Sequence, residues 1–71
     1  MKPLTAKQII KILTSNGFVL SRQKGSHRIY THKESGIMVP IPMHAGNKPV
    51  FIGTFLEIIK QSKILRKKFM N

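Results

Sequence analysis

An α+β domain is predicted, in the order helix, three antiparallel strands, helix. Three observations carry this. Segments with helical apolar spacing and capping residues stand near both ends of the chain, β-rich runs lie between them, and polar glycine-containing turns separate those runs. Its 71 residues are read as one domain, residues 1–71. A chain of this size buries about 60% of its unfolded surface. It has no cysteine, so neither disulfides nor cysteine-based zinc sites support the fold, and the core must carry its stability.

The first helix is expected over about residues 5–15. Thr5 can cap it, Gln8 can reach back, and Leu4 can staple against Ile9. Ala6, Ile9, Ile10 and Leu13 follow at helical spacing, and Asn16-Gly17 supplies a left-handed stop. Phe18-Val19-Leu20-Ser21-Arg22 reads as a strand, Gln23-Lys24-Gly25-Ser26 as a polar turn, and Arg28-Ile29-Tyr30-Thr31-His32 as a second strand. Lys33-Glu34-Ser35-Gly36 forms the next turn, with Gly36 suited to positive φ. Ile37 to Ile41 is a third strand, placed at an edge because Pro40 lacks a ladder donor. Pro42 to Pro49 is an irregular loop, anchored by Val50-Phe51-Ile52. A second helix opens at Gly53-Thr54-Phe55-Leu56-Glu57, with Thr54 and Glu57 as a capping box and Phe55, Ile58, Ile59 and Ser62 on its packing face. Helices at both ends of a meander can cover one sheet face. This is the α-β-β-β-α order of a double-stranded-RNA-binding-like domain.

Charge narrows the partner. Thirteen Lys and Arg face two acids, a formal net charge of +11. Solubility needs only a few charges. A surplus this large makes a small fold repel itself, which points to a polyanion, and to nucleic acid before an anionic membrane or an acidic protein. No apolar run approaches the roughly 18–20 residues of a membrane helix. The opening Met1-Lys2-Pro3-Leu4-Thr5 lacks a signal peptide's apolar stretch. A soluble, cytoplasmic protein with no membrane partner is expected. The only acids are Glu34 and Glu57, too few for a two-metal phosphoryl-transfer site. No metal and no cofactor is expected, and nothing in the sequence sets an oligomeric state.

Gly25-Ser26-His27-Arg28-Ile29-Tyr30, then Val39-Pro40-Ile41-Pro42-Met43-His44, then Gly53-Thr54-Phe55 resembles the HicA toxin family of mRNA interferases. The resemblance runs from the first helix through Gln61. It implies a double-stranded-RNA-binding-like fold, endoribonuclease activity on mRNA and neutralisation by a HicB-type antitoxin. His27 occupies the place of the family's catalytic histidine. The chain departs from the family at its end. Members usually continue Lys-Gln-Ala-Gly, an aliphatic residue, a Ser or Thr cap and an acidic turn. Here Lys60-Gln61-Ser62-Lys63-Ile64-Leu65-Arg66-Lys67-Lys68 lacks the glycine, the cap and the acids. The tail after Lys63 is left to form another helical turn, to run on from the second helix or to fray.

The residues suit metal-free RNA cleavage. RNA carries its own nucleophile, so cleavage needs a base for the 2′-hydroxyl proton and cations for the phosphate. A neutral imidazole suits the first task and Lys or Arg the second. His27 is the candidate catalytic base, flanked by Lys24 and Arg28. Arg22, Lys24 and Arg28 are expected to form a cationic strip along the first hairpin. Ser26, His44 and Lys48 complete the expected RNA contacts, with His44 also open to a role as second proton carrier, as loop-ordering residue or as antitoxin contact. His32 is expected to be solvated. Tyr30 is open to base stacking or to a core role, and Phe18, Phe51 and Phe55 are assigned to the core. Strict alternation sets His27 on the face of Ile29, which reads as buried, so the Gly25-Ser26 bend would have to aim the ring outward. A Ser26–His27 nucleophilic pair is rejected, since adjacent strand residues point to opposite sides. The alternatives are a non-catalytic double-stranded RNA-binding domain, or a module that binds an acidic protein.

Overall fold

The computed structural model describes residues 2–70. It contains α1 (Ala6–Ser15), β1 (Phe18–Lys24), β2 (His27–His32), β3 (Met38–Pro42) and α2 (Ile52–Ser62), followed by a 3₁₀ turn (Arg66–Phe69). The predicted order of helices and strands is the observed one. The Thr5 hydroxyl accepts from the Gln8 N–H at 3.2 Å, and the Gln8 side chain accepts from the Thr5 N–H at 2.9 Å. That reciprocal cap satisfies two donors the first turn of α1 would otherwise leave free. The helix stops at Asn16, and Gly17 turns the chain at φ +90. A Cβ on Gly17 would stand 3.0 Å from Nε2 of His32, so both backbone and space require glycine there.

The three strands form an antiparallel sheet in the order β1-β2-β3. Its first hairpin is tighter than the sequence suggested. Lys24 pairs with His27, which leaves Gly25-Ser26 as a two-residue loop. Only the first of these has positive φ, +59 at Gly25, as a type II′ turn requires. Three residues further back β1 carries a bulge. Leu20 pairs with Tyr30 and Arg22 with Ile29, so Ser21 is the extra residue. Its hydroxyl donates to the Ile29 carbonyl at 2.9 Å and accepts from the Thr31 hydroxyl at 3.0 Å.

Both helices cover one sheet face. Phe18, Tyr30, Val39 and Ile41 are buried against Ala6, Ile9 and Leu13 of α1 and Phe55, Ile58 and Ile59 of α2. The alternate residues Ile29, Thr31, Met38 and Pro40 lie on the other face and stay partly or fully exposed.

The C-terminal part departs from one expectation and decides another. First, α2 begins at Ile52 with Phe51 as its N-cap and no side-chain cap bond. The Thr54–Glu57 capping box does not form, because both residues lie inside the helix. Second, the tail neither runs on from α2 nor frays but forms the further helical turn, the remaining reading open to it. Lys63 takes the left-handed conformation (φ 62, ψ 10) that a glycine would occupy more cheaply. The Ser62 hydroxyl donates to the Ile59 carbonyl at 2.9 Å and accepts from the Ile64 N–H at 3.1 Å. The 3₁₀ turn then delivers Phe69 into the core, 1% exposed, edge-on to Phe55 with ring centroids 6.1 Å apart.

A left-handed conformation costs a residue with a Cβ about 1–2 kcal/mol, and glycine gives back part of that gain through its greater unfolded freedom. Lys63→Gly is therefore expected to raise the urea midpoint, by a stability gain of up to about 1 kcal/mol. A lowered midpoint would show that the lysine side chain stabilises the turn by more than its backbone strains it.

Candidate functional site

The two-residue turn fixes where His27 points. Because the hairpin closes directly at Lys24 and His27, the histidine is a strand residue facing Pro42 across β2 and β3. The loop after β3 is tied to the same corner, with the Met43 N–H donating to the Ser26 carbonyl at 2.7 Å. That loop turns on itself through Gly46 N–H to Met43 carbonyl (3.4 Å) and Lys48 N–H to Ala45 carbonyl (3.2 Å). It returns to the fold where Val50 N–H meets the Leu4 carbonyl at 3.0 Å and Pro49 bridges to Thr5. The local bonds hold His44 and Lys48 on an ordered loop, though both are exposed.

Between this loop, β3 and the flank of α2 lies a cleft of about 790 Å³. His27 lines it from β2, Pro40 and Pro42 from β3, His44, Lys48 and Phe51 from the loop, and Thr54, Glu57 and Gln61 from α2. Pro40 and Pro42 have no N–H, so this edge lacks the donors with which another strand would zip onto it.

His27 is exposed. The expectation that it shares a buried face with Ile29 is corrected. It does share that face, but the helices cover the opposite one, where Tyr30 is 4% exposed. No bend is needed to aim the ring outward. The predicted strip of three cations is divided. The pairing of Arg22 with Ile29 and of Lys24 with His27 puts Arg22 and Lys24 on the His27 side, both exposed. Arg28 points to the helix-covered side beside Ile41, half-buried, with its Nε enclosed and unpartnered. Ser26 is exposed at the turn, and its carbonyl holds the loop. The cleft thus unites His27, His44 and Lys48, with Arg22, Lys24 and Ser26 outside its lining and Arg28 facing away.

Three further assignments change, and the open one at Tyr30 is decided. His32 is half-buried rather than solvated. Its ring lies edge-on to Phe18 at 5.3 Å, and its Nδ1 is 3.0 Å from the Ser35 hydroxyl. Tyr30 belongs to the core. Phe51 does not: it is 81% exposed and lines the cleft, and of the loop's apolar anchor only Val50 is buried. Glu57, read from sequence as a cap, is a cleft residue. Spacing could not reveal this, since it depends on where α2 starts. Among the described residues no three of His, Asp or Glu converge closely enough to hold a metal ion, although His27, His44 and Glu57 all line the cleft.

The arrangement offers an exposed imidazole, a loop cation, a second imidazole and an aromatic ring around one open cleft. These are groups able to take a proton, attract a phosphate and stack on a base. A comparison with curated proteins returns no match. The model of the HicA toxin of bacterial toxin-antitoxin systems matches residues 6–64, a span that takes in both helices, all three strands and the loop that walls the cleft, and on that match the chain belongs to the HicA toxin family.

Proposed function

We propose that this toxin is an endoribonuclease that cleaves mRNA without a metal, using His27 as its single catalytic histidine, and that a HicB-type antitoxin neutralises it. The observation that carries the reading is the exposed His27 ring at the cleft, on a chain with a net charge of +11. The neutral ring removes the proton of a ribose 2′-hydroxyl. The 2′-oxygen then attacks the adjacent phosphorus, the bond to the 5′-oxygen breaks, that oxygen takes a proton from water, and the His27 imidazolium gives its proton to the hydroxide left behind. The products are a 2′,3′-cyclic phosphate and a 5′-hydroxyl. Lys48 in the cleft and Lys24 across the hairpin offset charge on the phosphate. Arg22 and Ser26 extend the contact toward the hairpin, and His44 binds RNA beside Lys48. Phe51 supplies the stacking surface that Tyr30, being buried, cannot. Arg28 acts from behind the sheet through its charge alone.

No helix of the described residues is long and apolar enough to cross a membrane, and the proposed substrate places the protein in the cytoplasm. Incubation of purified protein with mRNA in excess EDTA tests the chemistry. Cleavage should persist, leaving cyclic-phosphate ends. Loss of activity on chelation would remove the metal-free mechanism. Binding without cleavage would leave a non-catalytic double-stranded RNA-binding domain.

A further inference from the structure

Charge on this chain is not confined to the cleft. A second groove, about 510 Å³, follows the outer flank of α2 and shares Gly53 and Glu57 with the first. Beyond Glu57 its cations are Lys60, Lys63 and Arg66, all exposed. Leu56 and Leu65, 40% and 64% exposed, line the same groove. The two grooves therefore adjoin at Gly53 and Glu57 of α2, with His27 lining the first and three cations lining the second.

These cations are built in place. Left free, a tail carrying Lys63, Arg66, Lys67 and Lys68 would spread by its own repulsion. Instead Phe69 is locked against Phe55, the Ser62 hydroxyl bridges the end of α2, and the Lys68 N–H donates to the Leu65 carbonyl at 2.9 Å. Lys63 also sits in a conformation that favours glycine. A fold that holds like charges together and accepts backbone strain to do so presents a surface suited to a polyanion. Exposed leucines in the same groove as the cations suit nucleotides, which carry apolar base faces beside their phosphates.

We propose that the groove on the outer flank of α2 is a second RNA subsite, in which Lys60, Lys63 and Arg66 hold the phosphates of a single strand running on from the cleft. This rests on the reading of the cleft as an RNA site and adds the direction in which the strand leaves it. The test compares wild type with a Lys60→Gln/Lys63→Gly/Arg66→Gln variant. The glycine keeps the left-handed turn, and circular dichroism and a melting curve confirm that the variant folds. The probes are 2′-O-methyl oligouridines, which lack the nucleophile, of about 4 and about 12 nucleotides, the range that basic single-strand grooves span.

The variant should bind the long probe at least about tenfold more weakly at low salt, with the slope of log affinity against log salt reduced by about 2, as expected for three lost phosphate contacts on a single strand. Binding of the short probe should stay within about twofold. If wild type cleaves mRNA but the variant binds the long probe equally well, the subsite falls and the cleft reading stands. If the variant loses only the antitoxin, the groove is a protein contact and the subsite likewise falls. If wild type binds neither probe and cleaves no RNA, both readings fall together.

Discussion

Replacing His27 by alanine is expected to lower RNA cleavage by about 10²–10⁴-fold, the usual contribution of a positioned general base. The same variant should bind RNA nearly as well as wild type, because the proposed phosphate contacts are lysines and arginines. It should also melt within about 0.5 kcal/mol of wild type, since the ring is exposed and exposed substitutions away from caps and special backbone cost little. The three readouts together separate roles. A base is lost from the rate and from nothing else. A purely structural histidine would move the melting curve, and an RNA-contact histidine would move affinity in step with rate. Measurement of single-turnover cleavage, equilibrium binding and thermal unfolding on one preparation decides among them. Undiminished cleavage by His27→Ala would overturn the assignment, and attention would pass to His44, the other histidine on the cleft.

Phe69→Ala is expected to destabilise the fold by about 3–5 kcal/mol, the cost of removing a buried aromatic ring and leaving a cavity. Phe69 is 1% exposed and packs edge-on to Phe55, so little of the space can be refilled by solvent or side-chain motion. For a domain of this size each 1 kcal/mol moves the melting point by about 4–8 °C. A fall of at least about 12 °C should follow, or outright unfolding near physiological temperature. Arg66→Ala, three residues earlier and exposed, is the control and should stay within about 0.5 kcal/mol. A melting point within about 2 °C of wild type for Phe69→Ala would mean that the 3₁₀ turn stabilises nothing. The cations it carries would then lack a rigid frame.

Much of the fold was legible because local signals agreed with one another. Thr5 and Gln8 cap α1 as their spacing requires. Asn16-Gly17 and Gly36 turn the chain where glycine is needed, and Phe55, Ile58, Ile59 and Ser62 form the buried face of α2. The His27 segment was legible as well, from its neighbours and from the resemblance they carry. Face assignment was not legible in β2. Ile29 and Tyr30 are adjacent and both apolar, so alternation alone offers two registers of equal merit. The covering helices choose the one that buries Tyr30. The division of Arg22 and Lys24 from Arg28 follows from a single extra residue at Ser21. No composition rule marks that bulge, since it arises from pairing between strands.

Residue types and their order determined that a small, very basic α-β-β-β-α domain would form, with its acids too few for a two-metal centre and a histidine at the first hairpin. Tertiary structure decided which side of the sheet faces water, that Phe51 and Glu57 stand on the cleft, and that Phe69 closes the core. The reason is range. Caps, turns and helical periodicity act within a few residues, whereas exposure and convergence depend on what the rest of the chain lays against a side chain. Neighbours in sequence do not carry that information.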